Sequence, residues 1–235
     1  MEGTGNLRFN FPTAVTREAP MVLPDKAADV TGGVGREQLR GAKAMQLHVN
    51  PHELILVGEN SFLRLSTDGS QTASTRCSHW RVLWSPAGAG HALFVESGVV
   101  GGVRVYSDSV PLVRFLQKEI EHLLYKPFGD ASLPVLAATF EREGTPPGGC
   151  SEIVRAGGVE IRLSWSEFLE LFNFSADPGY DGRPIGVQTT FIPAARALLS
   201  VGGRNADGEP WKMDRGGKPC TSACLAWCET WFRPR

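Results

Sequence analysis

A single stretch of the chain carries the spacing of an amphipathic helix, and almost everything else is written in short runs that alternate apolar and polar residues. In that stretch Leu112, Leu116, Ile120, Leu123 and Leu124 recur every three or four residues, while Arg114, Gln117, Lys118 and Glu121 occupy the other side. Asp108-Ser109 supplies side-chain acceptors for a helix start, Val110-Pro111 puts proline where its missing N–H does no harm, and Pro127 closes the segment. One helix over 108–126, laid on a sheet or plugging one end of a barrel, is therefore expected.

The remaining pattern is that of antiparallel β. Runs at 45–49, 53–57, 61–66 and 76–84 are separated by Asn50-Pro51, Gly58-Glu59-Asn60 and Asp68-Gly69, the turn chemistry of a meander. In the last of these runs His79, Arg81 and Leu83 alternate with Trp80, Val82 and Trp84. Further strands are expected at 134–142, 159–165, 186–193, 195–201 and 224–233. In 159–165 the residues Val159, Ile161, Leu163 and Trp165 face one way, the signature of a half-buried sheet. Periodicity leaves 166–174 open between a short helix and continued strand. Residues 145–149, 177–184 and 202–219 read as turn-rich loops, and Tyr180 makes the middle one a candidate lid.

Just before the helix, two apolar runs flank Ser97-Gly98, a dipeptide suited to a two-residue hairpin. With those two residues as the loop, Glu96 falls opposite Val99, Phe94 opposite Gly101 and His91 opposite Arg104. Alternation puts His91, Leu93 and Val95 on one face and Ala92, Phe94 and Glu96 on the other, with Gly101-Gly102 as the place for a bulge. The Gly-rich loop Pro86-Ala87-Gly88-Ala89-Gly90-His91, read with Glu96 and the glycines after it, resembles part of the metal-binding motif of cupins. The resemblance implies a divalent metal held by histidines and a glutamate on successive strand positions. The second histidine of that family, two residues from the first, falls on Ala89 or Leu93, neither of which can ligate.

With 235 residues, of which 42% are hydrophobic and 21% charged, the chain can bury a substantial core. The expected organisation is an irregular arm over 1–40, rich in Gly, Pro, Thr and Asp and able to reach a neighbouring subunit of a homo-oligomer, followed by one domain over 41–235. A net charge of −1 with no basic stripe argues against nucleic acid as a partner. No apolar run approaches 18 residues and no leader pattern opens the chain, so no membrane segment and a cytoplasmic location are expected. The 5 cysteines form no Cys-x-x-Cys pair, and reduced thiols are expected.

The chemistry-bearing candidates follow from this frame. His91 titrates near neutrality and Arg104 would orient an anion beside it. In the last strand Leu225, Trp227, Glu229 and Trp231 alternate onto one side; if that side faces in, burial raises the Glu229 pKa toward neutrality. Trp227, Trp231 and Trp80 would wall a pocket, with His79, Tyr180 and Glu141 as further ligand-binding candidates. His48 and His52 are four apart, but Pro51 removes the helix that would aim both at one metal. Cys220, Cys224 and Cys228 do not match the spacing of common iron–sulfur motifs. No nucleophile elbow, P-loop or dinucleotide fingerprint is present, and Thr31-Gly32-Gly33-Val34-Gly35 lacks the strand and helix such a fingerprint needs.

The expectation is an antiparallel β-barrel or strongly curved sheet, lipocalin-like in shape, with one helix over a face or mouth. A small, apolar or aromatic metabolite would bind in it and undergo metal-independent acid/base chemistry of the lyase, isomerase or hydratase type, with His91 and Glu229 as proton carriers and Arg104 as anchor. The alternatives are a cupin-like enzyme using a divalent metal and a binding protein without turnover.

Overall fold

The structure is a computed structural model and describes residues 51–235, within a compact unit that spans Val49–Arg235. The arm over 1–40, the domain start at 41, the strand at 45–49, the glycine run at 31–35 and His48 lie outside the described residues. Of those described, 58% are strand, and they form a nearly closed, barrel-like sheet carrying a single helix of 15 residues.

In chain order the strands are β1 (His52–Leu65), β2 (Thr75–Trp84), β3 (Gly90–Ser97), β4 (Gly102–Ser107), β5 (Val135–Ala137), β6 (Thr139–Gly144), β7 (Cys150–Ala156), β8 (Val159–Phe168), β9 (Phe172–Ala176), β10 (Gly186–Val201), β11 (Arg204–Asn205), β12 (Lys212–Arg215), β13 (Lys218–Thr221) and β14 (Cys224–Pro234). The sheet runs β5-β4-β3-β2-β1-β14-β10-β8-β7-β6, with β9 and β11 also paired to β10, while β12 and β13 form a separate hairpin. Every pairing is antiparallel except β4 with β5. The C-terminal strand pairs on both sides, as a strand that closes a sheet must.

Two apolar clusters occupy the two faces of the sheet. Inside the curve, Leu63, Leu65, Leu93, Val95, Ile161, Leu163, Trp165, Leu199 and Leu225 form one core. On the other face Trp80, Ala92, Phe94 and Val105 meet Leu112, Val113, Leu116 and Ile120 of the helix. Each of the larger aliphatic and Phe side chains contributes roughly 1.5–3 kcal/mol by leaving water, which holds the helix on the sheet. The helix thus covers the outer face, and the inside of the curve is filled by side chains.

The helix, α1, runs through Val110–Leu116, Gln117–Glu121 and His122–Leu124, with Ser109 as its N-cap and a π turn as its middle part. That extra residue in the turn changes the helical phase. Gln117 and Glu121, expected on the solvated side, are buried as a result.

Several local expectations change for identifiable reasons. Residues 53–57 and 61–66 belong to one strand, because Gly58 makes a close crossing rather than a turn: a Cβ there would lie 2.4 Å from the Arg81 carbonyl oxygen. Residues 186–201 are likewise one strand, which pairs with β14 and β9 up to Pro193 and with β8 from Ala194 onward. Residues 134–142 divide into β5 and β6, and within 166–174 strand β8 runs on to Phe168 and β9 starts at Phe172. Strand β7 was not anticipated, and 202–219 contains the β12–β13 hairpin rather than loop alone. In the β3–β4 hairpin the turn takes Gly98 to Gly101, with Gly101 at φ 71°, so Glu96 pairs with Val103 and Val95 with Arg104. All 5 cysteines are free thiols. Among the described residues no helix is long and apolar enough to cross a membrane.

Candidate functional site

The best-formed cavity lies on the outer face, beneath the C-terminal end of α1, and measures about 320 Å³. Its floor is the sheet, through Asn60, Phe62 and Arg64 of β1, Arg76 and Ser78 of β2, Val187 and Phe191 of β10, and Glu229 and Trp231 of β14. Its walls are Glu121, Leu124 and Tyr125 at the end of α1, the loop bearing Tyr180 and Arg183, and Met213 and Arg215 of the β12–β13 hairpin.

Two buried carboxyl groups line this space. Glu121 is 1% exposed; its Oε1 accepts from Ser78 Oγ (2.6 Å) and Trp80 Nε1 (2.5 Å), and Asn60 Nδ2 donates to Ser78 Oγ (3.0 Å). Its Oε2 has no partner among the described residues. Burial lifts the Glu121 pKa to about 7, against the lowering by those two hydrogen bonds and by the Arg76 charge. Glu229 is 4% exposed and accepts from Trp231 Nε1 (2.5 Å). Burial raises it to about 8; Trp231 and Arg215 oppose the shift and the charge of Glu121 adds to it.

A bulge in β14 puts Glu229 there. Gly58 pairs with Glu229 and Asn60 with Ala226, so Trp227 and Cys228 together oppose one residue of β1, and Cys228 takes φ 54°. The bulge reverses the alternation. Leu225 and Trp227 face the inner core, while Glu229 and Trp231 face the cavity. The expectation that all four share one side is corrected on this ground.

Arginines supply most of the charge in the rest of the lining, which also includes Asp181, Arg183 and Asp214. Arg76 lies over the Tyr125 ring at 4.1 Å, and Arg215 over Phe191 at 4.8 Å and Phe62 at 5.7 Å. Burial, then the neighbouring Arg215 and Arg76, hold the Arg64 pKa down to about 10.

A second polar cluster sits on the inner face. Glu152 of β7, 0% exposed, accepts from Arg142 (Nε to Oε1, 2.6 Å); Arg142 also reaches Glu59 (2.6 Å), and Arg81 lies 3.6 Å from Glu152. His79, 1% exposed, has Nε2 3.9 Å from Glu152, and burial pushes its pKa well down. His91 stacks on Phe140 at 5.1 Å, and its Nδ1 is 2.7 Å from Asp108 Oδ2.

The residues singled out from the sequence therefore separate. Glu229, Trp231 and Tyr180 line the outer cavity, and Trp80 lies behind it as a hydrogen-bond donor to Glu121. His79, His91 and Trp227 belong to the inner face, so His91 and Glu229 stand on opposite sides of the sheet and cannot act on one molecule. Arg104 is exposed, with Nη1 donating to the Val103 carbonyl (3.0 Å); the four-residue turn carried it away from His91, whose partner is Asp108. Glu141 is exposed and paired with Arg155 at 2.8 Å. His91 and Glu96 point to opposite faces, Glu96 accepting from Tyr125 Oη (2.5 Å), so the pair implied by the cupin resemblance does not converge on a metal. Among the described residues no group of three or more His, Cys, Asp or Glu is arranged to hold a metal ion. The sequence does not single out Glu121, Arg64, Arg76 and Arg215 as site residues, because each taken alone reads as a solvated charge.

Comparison of the chain with protein-family models, curated proteins and solved structures finds no match.

Proposed function

We propose that the outer cavity is the active site of a small-molecule enzyme that works by proton transfer, with Glu121 as base and Glu229 as acid. The observation that carries this reading is a pair of buried carboxyl groups lining one small cavity, with pKa values lifted to about 7 and about 8. Near neutrality this leaves Glu121 partly ionised and Glu229 mostly protonated, the division of labour that acid/base catalysis requires. Phe62, Phe174, Phe191 and Trp231 give the space flat apolar walls for an apolar or aromatic substrate. In the reaction, Glu121 Oε2, which lacks a partner among the described residues, takes a proton from a substrate carbon, and Glu229 delivers its own proton to the atom that gains the electron pair. Isomerase, lyase and hydratase chemistry all contain such a step.

The test is hydrogen exchange. The protein is incubated in D2O with small aromatic and apolar carbonyl compounds, and deuterium entry at carbon is followed by NMR. Exchange that depends on the protein, peaks between about pH 7 and 8, and is lost in Glu121→Gln and Glu229→Gln is expected. Compounds that bind without exchanging in the unaltered protein would overturn the enzyme reading in favour of a ligand carrier.

A further inference from the structure

We infer that the cavity selects a ligand bearing an oxyanion, a carboxylate or a phosphate, and that Arg64, Arg76 and Arg215 bind that group while the aromatic floor takes the apolar body. This deepens the proton-transfer reading by naming the class of molecule the same site accepts, and it rests on that reading only for the ligand's turnover.

The argument starts from charge. All three arginines line the cavity, and none forms an ion pair with a carboxylate among the described residues. On the inner face, by contrast, Arg81 and Arg142 are neutralised by Glu59 and Glu152. Glu121 and Glu229, which line the cavity with these arginines, are carboxyls whose charge burial suppresses, and of the other two acids in the lining Asp181 pairs with Arg183, which leaves three arginines against Asp214 alone. Positive charge is thereby concentrated in a half-enclosed space, where the guanidinium groups repel one another.

Hydrogen bonding gives the second argument. Arg76 Nε and Arg215 Nε are buried N–H donors without an acceptor among the described residues. A buried donor left unpaired is costly, and an oxyanion between the arginines would satisfy it. The rings stacked against the guanidinium planes, Tyr125 under Arg76 and Phe191 under Arg215, hold those groups in place without consuming their charge. A cavity of about 320 Å³ matches a compound built on one ring.

The probes are benzoate, phenylphosphonate and the neutral benzamide, titrated into the full chain by calorimetry. At least one anion is expected to bind about tenfold or more tightly than benzamide, and the preference should shrink as salt is raised. Which anion binds better separates a carboxylate ligand from a phosphate ligand. Arg64→Gln and Arg215→Gln should each lose most of the preference, whereas Arg104→Gln, the same change at an exposed site away from the cavity, should keep it. Equal binding of all three probes to the unaltered protein, or no binding of either anion at millimolar concentration, overturns the inference, and neither result needs a variant that folds. Selective anion binding that survives Glu229→Gln while D2O exchange is absent in the unaltered protein would instead defeat the proton-transfer reading and leave the anion site standing.

Discussion

Replacing Glu229 by Gln should make the protein more stable, by an amount that grows with pH. The folded state holds the Glu229 proton to about pH 8, whereas the unfolded chain releases it near the ordinary 4.5. Between those values the folded state binds more protons, so stability falls as pH rises, by up to about 1.4 kcal/mol per pH unit from this group. At pH 5 the penalty is still under about 1 kcal/mol; by pH 7 it reaches roughly 3, and above pH 8 it levels off near 5. Glutamine keeps an oxygen for Trp231 Nε1 to donate to and has no proton to lose. Urea unfolding of both proteins at pH 5, 7 and 9 measures the difference. The variant should gain roughly 2–3 kcal/mol on the original protein between pH 5 and 7, and further above that. Glu121, raised to about 7, adds a similar slope that both proteins share as long as Glu229 is uncharged, so it cancels in the comparison between pH 5 and 7. A difference between the two that stays constant from pH 5 to 9 would refute the reasoning, because it would mean that Glu229 ionises as an exposed carboxylate does.

Substitutions at two further positions probe the inner cluster and the bulge that positions Glu229. Glu152→Ala removes the fully buried carboxylate that faces both Arg142 and Arg81, leaving Glu59 alone against two guanidinium groups, and should cost about 3–5 kcal/mol in chemical denaturation; a loss under about 1 kcal/mol would show that the inner cluster is hydrated and slack. At Cys228, φ 54° disfavours any side chain and a β-branched one most: Cys228→Gly should hold or raise stability by up to about 1 kcal/mol, while Cys228→Val should lower it by more than that. Equal stability of the two would argue against the bulge that delivers Glu229 to the outer face.

The division between what the sequence reveals and what it hides follows the range of the interactions. Alternation identified the faces of β3 and β8 because a period of two is local, and capping by Ser109 placed the helix start for the same reason. The outer site depends on three departures from such regularity. The π turn brings Glu121 under the helix, the bulge at Cys228 brings Glu229 across the sheet, and the β12–β13 hairpin brings Arg215 over the floor. Each adds or reorients a residue at a point where the amino acids alone are unremarkable, and each is stabilised by partners distant in the chain, such as Ser78 and Trp80 for Glu121. None of the three is marked by its own residues: Glu229 is buried on the outer face, as it would also be on the inner face under an unbroken alternation through β14, and on a regular helix Glu121 is solvated and unremarkable. Its inward turn is visible only once Ser78 and Trp80 are seen to donate to its carboxylate, with Asn60 donating in turn to Ser78.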